Sequence, residues 1–169
     1  SIRIAGDEID EQIADYCRSV HSLLIGERTA KACKIAIGSA FPRLQEQTAL
    51  VRGRNLQTGL PQQVELTSTQ IREAISGPTT EIVENIKMAI EATPPELLAD
   101  VMEHGIYLAG GGALLGGLDK RIEQEADIPV HIADNPLEAV VRGTGACLHN
   151  LEAFREVFVA ENATHVSYT

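Results

Sequence analysis

The sequence has no tryptophan, and only three phenylalanines and three tyrosines in 169 residues. A hydrophobic core, for which 44% of the residues are available, must therefore be built mainly from aliphatic side chains. Basic residues are also scarce, with 14 Lys and Arg against 24 Asp and Glu and a formal net charge of -10. An acidic surface repels phosphate backbones, so we expect no nucleic-acid partner.

Long apolar runs and metal-binding patterns are missing as well. Charge or glycine interrupts each apolar run within about ten residues, which is too short for a membrane-spanning helix. The five histidines are scattered and the cysteines lack CxxC spacing, so we expect no metal site. An odd cysteine set within helical apolar patterns favours buried thiols in a reducing compartment. The three cysteines are Cys17, Cys33 and Cys147.

The first half of the chain contains both strand and helix patterns. Ile2 and Ile4 alternate with polar residues and predict a short strand, after which Asp7 opens a helix. A second helix follows Gly26. Loose alternation from 46 to 66, interrupted by a Thr-Gly-Leu-Pro turn, predicts a β-hairpin.

The second half predicts alternating helices and strands. Thr67 and Gln70 fit a capping box that begins a short helix. Further helices are expected at 78–92, 113–126 and 136–150, the last capped by Asp134 or Asn135, with another short helix after Pro94 and Pro95. Strands are expected at 105–109 and 129–132. The inward side chains are expected to be Ile9, Ile13, Tyr16, Cys17 and Val20, then Ala30, Cys33 and Ile37, then Ile82, Ile86, Ala89 and Ile90, then Leu97, Leu98, Val101 and Met102, and finally Leu114, Leu115, Leu118 and Ile122.

Three consecutive glycines, Gly110, Gly111 and Gly112, stand between a strand pattern and a helical pattern. Glycine lets the backbone approach a ligand closely, and strand–glycine–helix arrangements are typical of phosphate and nucleotide sites. The Rossmann pattern would need glycine where Leu115 stands, and the P-loop lysine is absent. From these residues alone, a ligand site and a plain strand–helix turn remain equally open.

Five stretches resemble the MreB family of bacterial actin-like, rod-shape-determining proteins. The third, a hairpin followed by a helix, is particular to this family within the actin superfamily, and together the five cover about residues 1–150. They are SIRIAGDEIDEQIADYCR, LIGERTAKACKIAIGSAF, VRGRNLQTGLPQQVELTSTQIREAI, GIYLAGGGALLGGLDKRI and PVHIADNPLEAVVRGTGACL.

The resemblance implies an α/β fold of the actin-like ATPase (ribonuclease H-like) type. A sheet of 1–5, 105–109 and 129–132 is expected in it. The larger subdomain is expected at 1–9 and 77–157, and a smaller α+β lobe at 10–76. Residues 158–169 lack periodicity and are predicted to form a flexible tail.

The same resemblance assigns a nucleotide site. The triple glycine matches the adenosine motif of this superfamily, Leu114 is a candidate wall beside the base, and Gly6 and Asp7 fall near the nucleotide. Lys34 falls where a basic residue leans over adenine and ribose, although its spacing alone favours a solvated helix face. The implied nucleotide-contacting residues are Gly110, Gly111, Gly112, Leu114, Lys34, Lys31, Gly6 and Asp7.

Two positions depart from the family pattern. Lys31 stands where the family usually has an acid that contacts the ribose, and Ala5 replaces the first of two glycines. Lys31 puts ribose recognition in doubt, and it could form a surface ion pair with Glu27. A scaffold that does not depend on nucleotide is therefore an alternative.

No D-x-G-x-[GT]-T phosphate hairpin occurs in the sequence. We therefore expect the chain to be a piece of a longer protein that binds ATP with Mg²⁺ and hydrolyses it slowly. This part alone is expected to bind ATP weakly or not at all and to be inactive, with no catalytic or metal-binding residue assigned. Alternatives are the nucleotide-binding domain of an Hsp70-type chaperone and half of a sugar or acetate kinase.

The resemblance also implies partners and a location. The longer protein is expected to polymerise with itself and to help determine cell shape. It is expected to contact membrane proteins of morphogenesis and cell-wall synthesis, in the cytoplasm at the inner face of the cell membrane. The hairpin end is the candidate filament contact, an apolar tip bordered by Arg52 and Arg54 that contains Val51, Leu56 and Leu60. The alternative is that these residues pack in the lobe's own core, which is favoured for Val51, whereas the interface is favoured for Leu60.

Overall fold

The structure is a computed structural model that describes residues 6–152 and residue 154. The strand predicted at 1–5 and the tail predicted at 158–169 lie outside the described residues. The elements of the first half are α1 (Gly6–His21), β1 (Leu23–Leu24), α2 (Glu27–Ile37), β2 (Thr48–Asn55), β3 (Pro61–Thr67) and α3 (Ser68–Ala74).

The predicted hairpin forms and belongs to an antiparallel sheet in the order β1-β2-β3. Val51 lies opposite Val64 in its register. At the turn, the Asn55 side-chain oxygen accepts hydrogen bonds from two successive backbone N–H groups. Gly59 follows with a φ of 72°, which glycine adopts without steric cost. The turn therefore forms where the Thr-Gly-Leu-Pro segment indicates.

The predicted capping box is confirmed at the start of α3. The Thr67 hydroxyl accepts from the Gln70 backbone N–H at 3.2 Å, and the Gln70 side chain accepts from the Thr67 N–H at 2.9 Å. These bonds satisfy donors that a helix start leaves free. The long helix α4 (Ser76–Glu91) follows.

The second half continues with helices and a small parallel sheet. Strands β4 and β5 lie in one sheet, as predicted for these two segments, and their pairing is parallel. The elements are α5 (Pro95–His104), β4 (Ile106–Leu108), a 3₁₀-helix (Gly111–Leu114), α6 (Leu118–Ala126), β5 (Val130–Ile132) and α7 (Ala139–His149).

Two predicted helix starts are wrong. The helix expected from 113 begins at Leu118, because Gly117 takes a left-handed conformation that ends any earlier right-handed helix. The helix expected from 136 begins at Ala139, and its N-cap is Glu138 rather than Asp134 or Asn135.

Some side chains predicted to face inward do not. In α4 the buried positions are Pro78, Thr79 and Val83, which places Ala89 on the exposed side and Ile82 only partly inside. Helices α5 and α7 have no buried residue in the described part of the chain. Four further side chains that were predicted to face inward are exposed: Val20, Leu97, Met102 and Leu114.

One connected aliphatic cluster forms the core. It includes residues of both predicted lobes, from Ile9 and Ile13 in α1 to Leu118 and Ile122 in α6. Val51 is 2% exposed and belongs to it, as expected. The lobe boundaries at 10 and 76 stay a prediction.

Candidate functional site

The triple glycine forms a tight turn after β4, with Gly110 just before the 3₁₀-helix and Gly111 and Gly112 as its first two residues. Gly110 has a φ of 81°, a conformation that residues with a Cβ rarely adopt. Its N–H donates to the Pro136 carbonyl at 2.8 Å, which holds the turn against the segment after β5. The backbone conformation thus explains why position 110 is a glycine.

Gly111 and Gly112 are not explained in that way. A Cβ built on Gly112 meets nothing within 4 Å, and one built on Gly111 meets only the Leu137 side chain at an ordinary 3.6 Å. By contrast, a Cβ on Gly38 or Gly53 would lie 2.3 Å from a backbone oxygen. Packing within the described chain therefore leaves Gly111 and Gly112 free to carry side chains, and the open side of the turn can accept a ligand.

Leu114 ends the 3₁₀-helix beside this open side. It is 57% exposed, and Leu137, which flanks Gly111, is 69% exposed. The prediction that Leu114 lies in the core is wrong, because the chain turns at Leu115 and buries the Leu115 side chain instead. An exposed leucine next to an open glycine turn fits an apolar wall for a base, and that assignment stays a prediction.

Lys34 does not lie on a solvated helix face. Its side chain is 15% exposed, and its Nζ lies 2.8 Å from Oδ1 of Asp10, which is 1% exposed. The same Nζ donates to the Gly6 carbonyl oxygen at 2.7 Å. Apart from this ion pair, neither Asp10 oxygen has a hydrogen-bond partner among the described residues. Lys34 therefore joins α2 to the first turn of α1.

The other predicted residues differ in exposure. Gly6 is the first residue of α1, and a Cβ there would lie 3.1 Å from the Lys34 ammonium nitrogen. Asp7 and Lys31 are exposed. The suggested Glu27–Lys31 ion pair is not among the ion pairs within the described ranges.

The Lys34 group and the glycine turn are connected indirectly. Ser39, two residues beyond α2, forms an isolated parallel bridge with Gly116, and the Ala40 N–H donates to the Gly116 oxygen at 2.7 Å. The Ser39 hydroxyl donates to the same oxygen at 3.1 Å. Between 6 and 152, no hydrogen bond or ion pair joins Lys34 to Gly110, Gly111 or Gly112.

Sequence reasoning missed Asp10. The signal was present, because Asp10 falls next to Ile9 and three residues before Ile13, within the buried stripe of α1. A charged residue in such a stripe needs a partner, and Lys34 provides it.

In the described ranges, no three His, Cys, Asp or Glu side chains gather where a metal ion could be held. None of the helices there has the length and apolar character to cross a membrane.

The MreB/Mbl protein family model matches residues 1–156. The cell shape-determining protein Mbl of Bacillus subtilis is 41% identical over 152 residues, which are 90% of this chain and 46% of that protein. The cell shape-determining protein MreB of Escherichia coli is 45% identical over 152 residues, 90% of this chain and 44% of that protein. The chain thus spans about half the length of these relatives, and they give the chaperone alternative no support.

Solved structures agree. MreB5 of Spiroplasma citri bound to ADP matches with a TM-score of 0.86 and 33% identity, over 92% of this chain and 47% of that chain. The MamK double helical filament matches with a TM-score of 0.73 and 21% identity, over 86% and 44% of the two chains, which shows the fold alone. The described chain has the α/β actin-like fold, and the protein belongs to the MreB/Mbl family.

Proposed function

We propose that this chain is the nucleotide-holding part of a bacterial actin-like protein that polymerises with bound ATP and helps determine cell shape. The observation that carries the proposal is the open glycine turn, where Gly111 and Gly112 have no packing reason to be glycine. Two related observations support it. MreB5 of Spiroplasma citri has been solved with ADP and with AMPPNP, and it matches this chain at 33% identity.

The chain's own residues fit the nucleoside end of a nucleotide. Backbone at Gly111 and Gly112 can lie against the adenosine and α-phosphate, because no side chain intervenes. Leu114 supplies an apolar surface for the base, and Lys34 offers an N–H donor. ATP with Mg²⁺ supplies the phosphate chemistry when bound, and the hydrolytic groups for a slow ATPase would come from chain beyond these residues.

The cellular setting is proposed on the same grounds. We place the family-length protein in the cytoplasm at the inner face of the cell membrane, with its own copies as filament partners. Membrane proteins of morphogenesis and cell-wall synthesis are the proposed further partners. The relatives named as cell shape-determining proteins support the role in cell shape, and the location and the membrane partners rest on the family resemblance alone.

The test is a substitution that fills the open side of the turn without disturbing the fold. Gly111→Val in the family-length protein should fold normally, because a Cβ there meets only Leu137 at 3.6 Å. It should weaken ATP binding by about 1–3 kcal/mol, because the branched side chain blocks the approach of the nucleotide. Titration of a fluorescent ATP analogue measures the affinity.

Gly77→Val is the matched control, since a Cβ at Gly77 has nothing within 4 Å and Gly77 lies in α4, outside the glycine turn. It should leave ATP affinity unchanged. Equal affinity for the wild type and Gly111→Val would remove the assignment of the glycine turn to the nucleotide.

A further inference from the structure

We propose that Asp10 is a positioning residue of the nucleotide site, which holds the Lys34 ammonium in place and cancels its charge. The inference rests on the proposed function, because Lys34 is assigned to the nucleotide there. Asp10 itself does not reach the ligand, since it is 1% exposed, whereas Lys34 is 15% exposed. A ligand can therefore reach the Lys34 side chain but not the carboxylate behind it.

The contacts of Lys34 leave one donor available. An ammonium group has three N–H donors. The Gly6 carbonyl oxygen at 2.7 Å and the Asp10 carboxylate at 2.8 Å are partners for two of them. The third is left for a group outside the described chain.

The ion pair also removes the freedom of a long side chain. A lysine loses the rotamer entropy of its four-carbon stem when it is fixed in one position. In this protein Asp10 and Gly6 fix Lys34 during folding, so that a ligand does not have to order it on binding. Lys31, on the same helix, is exposed and has no such anchor within the described ranges.

The charge of the pair indicates the chemistry of the contact. Asp10 and Lys34 together are neutral, so the remaining N–H faces its ligand as a directed donor rather than as a free positive charge. Such a donor suits an uncharged acceptor, a ribose hydroxyl or a ring nitrogen of the base, better than a phosphate. This agrees with the place beside adenine and ribose that the family resemblance gives Lys34.

The test compares the wild type, Asp10→Asn and Asp10→Asn/Lys34→Gln in the family-length protein. A single Lys34 substitution is avoided, because it would leave a buried carboxylate without a partner. Asp10→Asn should raise the Kd for ATP and for ADP by the same factor, about tenfold, the effect of one misplaced charge-assisted hydrogen bond. The double variant should bind no more weakly than Asp10→Asn, because a released Lys34 no longer contributes.

A second readout separates positioning from a purely structural role. Acetylation of each lysine, followed by mass spectrometry, should show Lys34 reacting more slowly than Lys31 in the wild type. In Asp10→Asn, Lys34 and Lys31 should be acetylated at similar rates. The urea unfolding midpoint of each variant measures its stability separately. If Asp10→Asn does not fold, Asp10→Glu keeps the charge, displaces the carboxylate by one methylene and should give an intermediate loss of affinity.

The outcomes are distinct. Wild-type affinity in a folded Asp10→Asn or Asp10→Glu variant, a loss confined to ATP, or a further loss in the double variant would each overturn the assignment. A wild-type protein that binds neither nucleotide would instead refute the proposed function, and the slow acetylation of Lys34 would still be measurable.

Discussion

At the scale of single residues, the proposed site depends on Lys34, whose ammonium group contacts Asp10 and the Gly6 carbonyl oxygen. The family resemblance placed Lys34 near the nucleotide, whereas its spacing indicated a solvated face. The prediction from spacing was wrong because the partner of Lys34 is Asp10, which lies 24 positions earlier on another helix. The periodicity of one helix gives no information about contacts with a second helix. Lys31, on the same helix, is exposed, as spacing predicts for a solvated helix face.

The cysteines give a residue-scale prediction. Burial raises the pKa of the Cys17 and Cys33 thiols from 9.0 to about 11, while Cys147 is only partly buried. Since the thiolate is the reactive form, a maleimide at mildly alkaline pH should label Cys147 well before the other two. Mass spectrometry of the native protein measures this order, and labelling of Cys17 as fast as Cys147 would contradict the buried packing of α1.

The raised pKa values of Cys17 and Cys33 also make the free energy of unfolding depend on pH. Between pH 9 and about 11 the unfolded chain loses these two thiol protons while the folded chain retains them. The free energy of unfolding should therefore fall as the pH rises through that window. Cys17→Ala/Cys33→Ala should flatten the dependence, as measured by urea unfolding at several pH values; an unchanged slope would contradict it.

At the scale of helices and strands, sequence motifs correctly predicted the features that depend on neighbouring residues. The capping box at Thr67, the hairpin turn at 58–61 and the pairing of β4 with β5 in one sheet all formed as expected. The predicted start of α6 was wrong because the left-handed conformation of Gly117 ends any earlier helix. Gly117 packs so closely on Phe41 that a Cβ would lie 2.6 Å from that residue's Cβ, and sequence spacing does not show this contact.

This contact predicts the effect of one added methyl group. Gly117→Ala should destabilise the fold by about 1–3 kcal/mol, because the φ of 71° strains alanine and the methyl group meets Phe41. Gly143→Ala, inside α7 with open space around it, should be neutral or slightly stabilising. Urea denaturation of both variants measures the difference, and equal stabilities would show that Gly117 does not set the start of α6.

At the scale of the whole molecule, helical periodicity could not say what covers an apolar face. Leu97 and Met102 in α5, and Val140 and Leu148 in α7, are exposed in the described chain, which spans about half the length of its relatives. Periodicity shows that a helix is amphipathic, and it does not identify the neighbour. The hairpin end is likewise exposed at Leu56 and Leu60, while Val51 is buried.

This hairpin end yields a prediction about assembly. In a head-to-tail filament the contact is heterologous and repeats along the polymer. Leu60→Glu should leave folding and ATP binding intact and raise the critical concentration for polymerisation, because a charge replaces an exposed apolar side chain at the contact. Leu44→Glu is the control, since Leu44 is fully exposed and lies outside the hairpin. Pelleting assays compare the two, and polymerisation of Leu60→Glu at the wild-type critical concentration would exclude the hairpin contact.

The central claim is that nucleotide lies against the glycine turn and the Lys34 group. Hydrogen–deuterium exchange of the family-length protein with and without ATP, under conditions that keep it monomeric, tests this most directly. ATP should slow exchange in peptides covering 106–117 and 27–41, and leave the hairpin peptide covering 48–67 unchanged. ATP binding with unchanged exchange in both of the first two segments would show that the nucleotide binds elsewhere.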